Sequence, residues 1–489
     1  MDVIERVDRW ARDYPEKIAH ISGERVLTYA ELGMRSDNMA GRLAETYPGD
    51  HSPVAIVGHK EPEMLIGFLA AVKSGHPYIP IDSSAPARRV EQMVQSARAL
   101  PLMTPAEIAE WSGRASSLAR ARLQRVGADD PYYIIFTSGS TGEPKGVVIT
   151  LRCLSTFLEW MCAEQQFVQG GETFLNQAPF SFDLSVMDLY LSLVTGGTLF
   201  SIGKEEISDF KKLYPALGRS GMTAWVSTPS FARMCLIERS FAEGLLPRVK
   251  RFLFCGETLA PHTASRLLDR FPKAEVWNTY GPTEATVACT SVKVDRDILA
   301  RYPTLPVGAP MPGSRVYVAD GNLQAVPDGE SGDILIAGPN VSPGYLGRPD
   351  LTAAAFIETG GERAYRTGDA GSMRDGMLFF ENRTDGQVKV NGYRIELGDL
   401  EANLRGLPGV DDAAVLPVLK DGVAQSLAAF AILSERGPES DFETGNRLRG
   451  ELAERLPAYM LPRRFLFLKE FPMTANGKTD RRKLAEMLS

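Results

Sequence analysis

The chain has 489 residues, of which 44% are hydrophobic and 24% charged, the balance of an ordinary globular protein. Its 54 lysines and arginines against 61 aspartates and glutamates give a net charge of −7, which argues against a nucleic-acid-binding protein, because such proteins carry a basic surplus. One hydrophobic core cannot serve this length, so we expect two or three domains.

The cysteines and the apolar segments indicate a reducing compartment and no membrane insertion. No C-x-x-C pair occurs, which argues against a disulfide framework or a zinc site. Residues 1–10 carry charges throughout, unlike a signal peptide. Apolar runs such as 64–72 fall far short of the roughly 20 residues of a membrane span. We therefore expect a soluble, cytoplasmic protein, with a monomer as the default oligomeric state.

Helices and strands alternate over the first 280 residues. Thr28 and Glu31 have the spacing of a capping box, which opens a helix carrying Leu32, Met39 and Leu43. A helix is also expected at 61–73, and strands are expected at 54–57, 78–81, 132–136, 224–226, 251–254 and 276–278. This alternation predicts an α/β fold with a mostly parallel sheet covered by helices.

The remainder of the chain changes character. Short strands with many glycines and prolines at 305–367 predict a β subdomain, and 381–396 is a charged, turn-rich segment. Helices near 397–404 and 447–456, with strands near 413–416 and 427–432, predict a small α+β domain. We place a large domain at 1–384 and a small domain at 385–489.

A loop at 137–146, TSGSTGEPKG, follows the apolar strand at 132–136. Its glycines let backbone N–H groups converge, and hydroxyls and Lys145 add donors, which describes an anion cradle. The Walker A pattern G-x-x-x-x-G-K-[ST] is absent. A Ser/Gly surface turn is the alternative, but the preceding strand and the lysine favour a phosphate-binding loop.

This loop resembles the phosphate loop of the adenylate-forming superfamily, which includes acyl-CoA synthetases, luciferases and peptide-synthetase adenylation domains. Four more motifs follow in that family's order: NTYGPTE at 278–284, YRTGD at 365–369, QVKVNGYRIE at 387–396 and PMTANGK at 472–478. Within the superfamily, GHPYIP at 75–80, NQAPFSFDLSVMD at 176–188 and FLFCGE at 252–257 are most similar to ligases that load D-alanine onto a carrier protein.

The resemblance implies a fold and a reaction. The fold is a large N-terminal domain of mostly parallel sheets with a β subdomain, followed by a small mobile C-terminal domain. The reaction joins D-alanine to ATP as D-alanyl-AMP, with Mg²⁺, and transfers it to the phosphopantetheine of a carrier protein. In the resembling enzymes the final acceptor is teichoic acid. Because the chain ends soon after Lys478, we expect a free-standing ligase.

The resemblance also implies the residues that handle ATP. Lys478 matches the catalytic lysine, which bridges the substrate carboxylate and the α-phosphate, and Glu284 matches the Mg²⁺ ligand. Asp369 matches the acceptor for both ribose hydroxyls, and Arg383 a second ribose or phosphate contact. Tyr280 is expected to pack against adenine. The remaining expected ATP-binding residues are Thr137, Ser138, Gly139, Ser140, Thr141, Gly142, Lys145, Asn278, Thr279, Gly281 and Thr283.

The substrate pocket depends on Asp183. In amino-acid-activating relatives an aspartate at this point pairs with the substrate ammonium, and a desolvated ion pair rejects acids that lack the amine. Leu184, Met187, Cys255 and Val287 match pocket positions, as do Ser227, Leu253, Thr279 and Ala288. Met187 and Cys255 would leave room for little more than a methyl group. Cys255 is equally compatible with a plain core cysteine, so chirality follows from the resemblance only.

Asp385 matches the hinge on which the small domain swings, so that Lys478 serves adenylation and then withdraws for phosphopantetheine. The family usually has glycine before Arg383, whereas this chain has Asn382. Asparagine tolerates positive φ better than most residues, so we expect the turn to survive.

Three alternatives stay open on the residues alone. The same fold could activate glycine, L-alanine or another small amino acid in a natural-product pathway. An acyl-CoA synthetase is disfavoured by Asp183. A catalytically silent binding protein is disfavoured because Lys478, Glu284 and Asp369 are all present.

Overall fold

The computed structural model describes residues 1–116, 118, 123–139, 143–359, 361–383, 386–390, 392–420, 423–435, 439–473 and 479–488. The chain forms two compact units. The first comprises Met1–Ser83, Ser96–Ile135 and Gly146–Asn382, and the second comprises Ser84–Gln95, Phe136–Lys145 and Arg383–Ser489. The expected boundary between residues 384 and 385 lies outside the described residues, so the division at that point stays a prediction.

Nine of the described strands form the larger sheet of the first unit. In spatial order they are Ala309–Pro310, Thr290–Val294, Glu275–Tyr280, Arg251–Phe254, Ala224–Ser227, Thr173–Asn176, Thr198–Ser201, Ile18–Ser22 and Arg25–Thr28. The six strands from Glu275–Tyr280 to Ile18–Ser22 are parallel, and the strands at both edges are antiparallel. The predicted parallel core is confirmed.

A second sheet has the order Gly344–Tyr345, Lys145–Thr150, Pro131–Thr137, Tyr78–Asp82, Val54–Gly58 and Leu100–Met103. Its central pairs are parallel. A third, antiparallel sheet contains Arg315–Ala319, Gly332–Ala337, Glu362–Arg374, Phe356–Thr359 and Met377–Arg383. It corresponds to the expected β subdomain, although Glu362–Arg374 is longer than the short strands predicted there.

Helices lie between these strands along the chain. Those of the described residues are Val3–Asp13, Tyr29–Thr46, Pro62–Lys73, Ala87–Ala97, Pro105–Ser112, Leu151–Gln165, Leu184–Thr195, Lys204–Ser208, Phe210–Ser220, Pro229–Cys235, Pro261–Arg270, Arg296–Arg301 and Pro349–Ala355. The capping box at Thr28 and Glu31 is present. Every residue of Leu184–Thr195 is buried, as its apolar composition requires. No helix in the described part of the chain has both the length and the apolar character that a bilayer crossing requires.

The C-terminal part of the second unit is α+β, as predicted. Strands Gln387–Val390 and Tyr393–Glu396 form a hairpin, and Val410–Lys420, Val423–Leu433 and Arg464–Phe467 form a three-stranded sheet. The described helices are Leu397–Arg405, Asp441–Ala453 and Arg481–Glu486. The hairpin corrects the expectation of a turn-rich segment at 381–396, because polar pairs alternate with apolar pairs along a two-stranded ribbon.

One buried histidine makes the first unit sensitive to acid. His20 is fully buried, and its Nε2 lies 2.9 Å from Oγ of Ser201. Burial, with nearby Lys60 and Arg25, lowers the pKa of His20 to about 3. The unfolded chain therefore binds one more proton than the folded chain between about pH 6.5 and 3, and stability decreases as pH falls through this window.

We expect His20→Gln to weaken this acid sensitivity. Between about pH 6.5 and 4.5, the wild-type free energy of unfolding should fall by about 2 kcal/mol more than that of His20→Gln. Urea unfolding at the two pH values measures the difference, with the same substitution at the exposed His262 as the control. Equal losses in wild type and His20→Gln would contradict the assignment.

Candidate active site

The parallel strands of the larger sheet end at one edge, where α/β sheets bind their ligands. Ser227 pairs in register with Phe254, and Phe254 with Asn278. The residues that close or follow these strands, Ser227, Cys255 and Thr279, are therefore neighbours at this edge. Thr279 fixes the arrangement, because its hydroxyl donates a hydrogen bond of 2.9 Å to the carbonyl oxygen of Phe254.

Asp183 reaches the same edge from the connection between strand Thr173–Asn176 and helix Leu184–Thr195. It is the half-buried N-cap residue of that helix, where the helix dipole favours a negative charge. Oγ1 of Thr283 donates a 2.6 Å hydrogen bond to its Oδ2. A carboxylate offers about four acceptor sites on two oxygens, and this bond occupies one of them and orients the group.

Apolar side chains surround this edge. The expected pocket residues Leu184, Met187, Leu253, Cys255, Val287 and Ala288 all belong to one buried cluster. Sγ of Cys255 lies 3.5 Å from the carbonyl oxygen of Val287 and donates to it. Successive side chains of strand Arg251–Phe254 point to opposite faces of the sheet. Leu253 therefore lies in this cluster, whereas Phe252 and Phe254 lie in a different cluster on the other face. All six residues are therefore part of the core of the first unit, and their expected contacts with the substrate stay predictions.

The backbone beside Cys255 is strained. Thr286 and Val287 have φ values of 58° and 69°, a conformation that is rare for any branched side chain. Hydrogen bonds hold it: Thr286 Oγ1 donates to the carbonyl oxygen of Asn340 at 2.7 Å, and Asn340 Nδ2 donates to that of Ala285 at 2.9 Å. Strain of this kind collects at functional sites, and no residue pattern in the sequence signals it.

Tyr280 and Asp369 form a second buried pair. The Tyr280 hydroxyl donates a 2.6 Å hydrogen bond to Oδ2 of Asp369, and Thr367 Oγ1 accepts from the Asp369 backbone N–H at 3.0 Å. Burial, followed by the Asp369 charge, raises the pKa of the Tyr280 hydroxyl well above its usual range. The phenol therefore stays protonated and keeps this carboxylate in one orientation.

Asn278 and Gly281 flank Tyr280. Nδ2 of Asn278 donates to the carbonyl oxygen of Pro306 at 2.8 Å, while its buried Oδ1 has no hydrogen-bond partner among the described residues, so an acceptor remains. Close packing explains the glycine at position 281, because a Cβ there would lie 2.6 Å from Cα of Ala288. Only glycine permits this backbone approach.

Glu284 lies fully buried in the short 3₁₀ helix Thr283–Ala285. The Tyr345 hydroxyl donates a 2.8 Å hydrogen bond to its Oε1, and Ser342 N–H donates to its backbone carbonyl at 2.8 Å. In the described part of the chain, no three His, Cys, Asp or Glu side chains cluster as a protein-built metal cage needs. One oriented carboxylate nevertheless suits Mg²⁺, which takes most of its ligands from phosphates and water.

The expected phosphate loop is described in part, and it belongs to the second unit. Ser138 Oγ donates to the carbonyl oxygen of Arg394 at 3.3 Å and accepts from Glu396 N–H at 3.0 Å. Nζ of Lys145 lies 3.8 Å from Oε1 of Glu396. At Gly139 a Cβ would lie 2.2 Å from the Glu143 carbonyl oxygen, so this position requires glycine.

Several expected residues lie outside the described residues, namely Ser140, Thr141, Gly142, Asp385 and Lys478. Thr137 and Arg383 are the last residues of their strands. Their expected roles stay predictions.

Sequence reasoning missed two partners that orient site carboxylates. Thr283 was expected at ATP and not at Asp183, and Tyr345 was not expected at all. The bond between Thr283 and Asp183 joins residues 100 positions apart, and the bond between Tyr345 and Glu284 joins residues 61 positions apart. Spacing along the chain could not reveal them; only the sheet topology brings these residues together.

Comparison with known proteins identifies relatives over the whole chain. The model of the AMP-binding enzymes matches residues 7–346, and that of their C-terminal domain matches 399–478. The D-alanine–D-alanyl carrier protein ligases of Bacillus thuringiensis (strain Al Hakam) and Bacillus mycoides (strain KBAB4) are each 45% identical over 499 residues, covering 99% of both chains. The Vibrio cholerae adenylation domain AlmE, solved with glycyl-adenosine-5′-phosphate, has a TM-score of 0.86 at 20% identity and covers 100% of this chain and 97% of its own. At that identity the likeness shows the fold.

Proposed function

The chain belongs to the AMP-binding enzyme family, and from this premise we propose that it is a D-alanine–D-alanyl carrier protein ligase. It joins the D-alanine carboxylate to the α-phosphate of ATP with release of pyrophosphate. The phosphopantetheine thiol of a carrier protein then takes the D-alanyl group as a thioester, and AMP is released. Relatives of that name at 45% identity support this function. The structural observation that carries it is the Asp183 carboxylate, held by Thr283 beside the buried apolar cluster.

Asp183 binds the substrate ammonium. An ammonium beside an oriented, half-buried carboxylate gains a charge-assisted hydrogen bond. A carboxylic acid without the amine would leave that carboxylate unpaired, which is the stronger part of the discrimination. The N-terminal end of helix Leu184–Thr195 favours a negative charge at this position.

The side chain of the substrate faces the apolar cluster. Met187 is fully buried, and Cys255 is 3% exposed. Protein interiors are close-packed, so a larger substrate side chain requires these residues to move. A methyl group is the size that suits this pocket, and the bond from Cys255 to Val287 holds the thiol in place.

The nucleotide is bound by the Tyr280 and Asp369 pair. Asp369 has two carboxylate oxygens for the two ribose hydroxyls, and Tyr280 orients it through one of them. Asn278 Oδ1 supplies an acceptor for the adenine amino group. For Arg383, Lys145 and the loop at 137–142 the proposed role in phosphate binding rests on the motif matches alone.

Glu284 holds Mg²⁺, which neutralises phosphate charge when bound. We expect Glu284→Gln to raise the Mg²⁺ concentration for half-maximal ATP–pyrophosphate exchange by more than tenfold, and Tyr345→Phe by about tenfold, because an orienting partner tunes a metal ligand. Titration of Mg²⁺ at saturating D-alanine measures both. An unchanged Mg²⁺ requirement in Glu284→Gln, with the KM for D-alanine also unchanged, would contradict the assignment.

Loading of a carrier protein tests the proposed function as a whole. The protein is incubated with ATP, Mg²⁺, D-alanine and a phosphopantetheine-bearing carrier protein, and the carrier is weighed by mass spectrometry. We expect the mass to increase by one alanyl group as a hydroxylamine-sensitive thioester. A control reaction contains free CoA in place of the carrier protein. Efficient loading of CoA at low concentration, with no transfer to the carrier, would favour an acyl-CoA synthetase.

A further inference from the structure

We propose that Lys60 is a positioning residue for amino-acid binding: its buried ammonium contacts Asn176, Ala178 and Phe180, and so holds the segment 176–183 that carries Asp183. This inference rests on the proposed function. Lys60 belongs to none of the motifs that indicated the reaction.

Lys60 contacts three residues of the segment at once. It is 4% exposed and lies just after strand Val54–Gly58. Its Nζ donates hydrogen bonds to Oδ1 of Asn176 and to the carbonyl oxygen of Ala178. It also lies 4.6 Å from the centre of the Phe180 ring, within the range of a cation–π contact.

A polar network anchors the segment on both sides of Asp183. Asn176 Nδ2 donates to Oδ1 of Asp188 at 2.9 Å, which fixes the start of the segment to the helix that follows it. Ser201 Oγ donates to Oδ1 of Asn176 at 2.9 Å, and His20 lies behind Ser201. Asp183 therefore lies between two anchored points, and Lys60 supplies the charge at one of them.

An apolar side chain in place of Lys60 would cost less to bury, because a buried charge recovers its desolvation cost only through close partners. Lys60 and Asp188 are both buried, and Asn176 bridges them. This pairing gives the segment a defined position, because a buried polar network rigidifies the parts of the chain that it joins.

The charge on Lys60 changes near neutral pH. Burial lowers the pKa of Lys60 to about 7, although the charges of Asp188 and Asp82 act in the opposite direction and raise it. The charged or titratable groups that face Lys60 are Asp188, Asp82, Lys204 and His20, and His59 pairs with Asp82 at 2.6 Å. Below about pH 7 the ammonium has three N–H donors, and it donates to Asn176 and Ala178. Above it the neutral amine binds the segment more weakly, so Asp183 is held less firmly as pH rises.

The first test measures KM values in ATP–pyrophosphate exchange between about pH 6 and 8. For the wild type we expect the KM for D-alanine to rise several-fold with pH while the KM for ATP changes little. Lys60→Met should have a KM for D-alanine about tenfold higher at pH 6, a flat pH profile and an unchanged KM for ATP. A wild-type KM that does not vary with pH, or a Lys60→Met profile that matches the wild type, would overturn the proposal.

Lys73→Met is the matched control for loss of a buried ammonium. Lys73 is 1% exposed and pairs with Asp37 at 2.6 Å and Asp8 at 3.1 Å. Its substitution should lower stability without altering the KM for D-alanine. If the KM for D-alanine rose as much in Lys73→Met as in Lys60→Met, general destabilisation would explain both variants, and the proposal would be overturned.

A second test needs no substrate, and so separates this inference from the proposed function. Hydrogen–deuterium exchange of segment 176–183 is compared at one pH in wild type, Lys60→Met and Lys73→Met. We expect faster exchange of this segment in Lys60→Met alone. Unchanged protection in Lys60→Met would overturn the positioning role, whatever amino acid the protein activates. The proposed function fails separately. If hydrogen–deuterium exchange of the segment is faster in Lys60→Met as expected, but the wild type shows no D-alanine-dependent ATP–pyrophosphate exchange, the result counts against the proposed function.

Discussion

Lys478→Ala is expected to abolish adenylate formation, lowering kcat for D-alanine-dependent ATP–pyrophosphate exchange by about 10³-fold. Attack of the carboxylate on the α-phosphate concentrates negative charge, and two anions must approach each other. A lysine ammonium that bridges the carboxylate and the phosphate offsets this repulsion. The assignment is a proposal from the match at 472–478, since Lys478 lies outside the described residues.

Two controls make this loss interpretable. Lys483 is an exposed lysine in helix Arg481–Glu486, and Lys483→Ala should retain exchange at the wild-type rate. Calorimetric titration of Lys478→Ala with ATP should show binding within a few-fold of wild type, which excludes global unfolding. Near-normal exchange in Lys478→Ala would remove this lysine from the chemistry.

Asp183→Asn should have the second-largest effect, a loss in kcat/KM for D-alanine of about 10²- to 10³-fold. The amide can still accept the bond from Thr283, so the variant removes the charge and retains the shape. The substrate ammonium would then be desolvated without a counter-ion. Discrimination between D-alanine and propionate should collapse as well, because the site no longer penalises an acid without an amine.

Exchange assays with both acids measure this ratio directly. Thr283→Val is the matched variant: it keeps the Asp183 charge and removes the hydroxyl that orients it, and we expect a loss of only about tenfold. A wild-type KM for D-alanine in Asp183→Asn would show that the ammonium binds elsewhere. An equal loss in both variants would indicate a structural role for the pair.

Much of the fold could be predicted from local patterns. Strand Arg251–Phe254 was predicted with its observed bounds, because a short apolar run between turns has few alternatives. The helix predicted near 447–456 begins earlier, at Asp441, because Ser440 and Glu443 form a capping box whose spacing was overlooked. The hairpin of Gln387–Val390 and Tyr393–Glu396 was missed although both strands alternate polar and apolar residues, because four residues are too few for the alternation to stand out.

The candidate site could be predicted only in part. The resemblance supplied the residues, and the strand ends explain why they meet, but long-range bonds leave no trace in local sequence. The bond between Asp183 and Thr283 depends on the register of four parallel strands. The left-handed backbone at Val287 contradicts the preference of its own side chain, so tertiary hydrogen bonds alone decide it.

Substrate choice is the central claim, and an amino-acid panel in ATP–pyrophosphate exchange tests it most directly. The panel contains D-alanine, L-alanine, glycine, D-valine and propionate, each titrated to obtain kcat/KM with the wild-type protein. We predict the highest value for D-alanine, reduced values for glycine and L-alanine, and almost no exchange with D-valine or propionate. A higher kcat/KM for any other member of the panel, or exchange with none of them, would contradict the account.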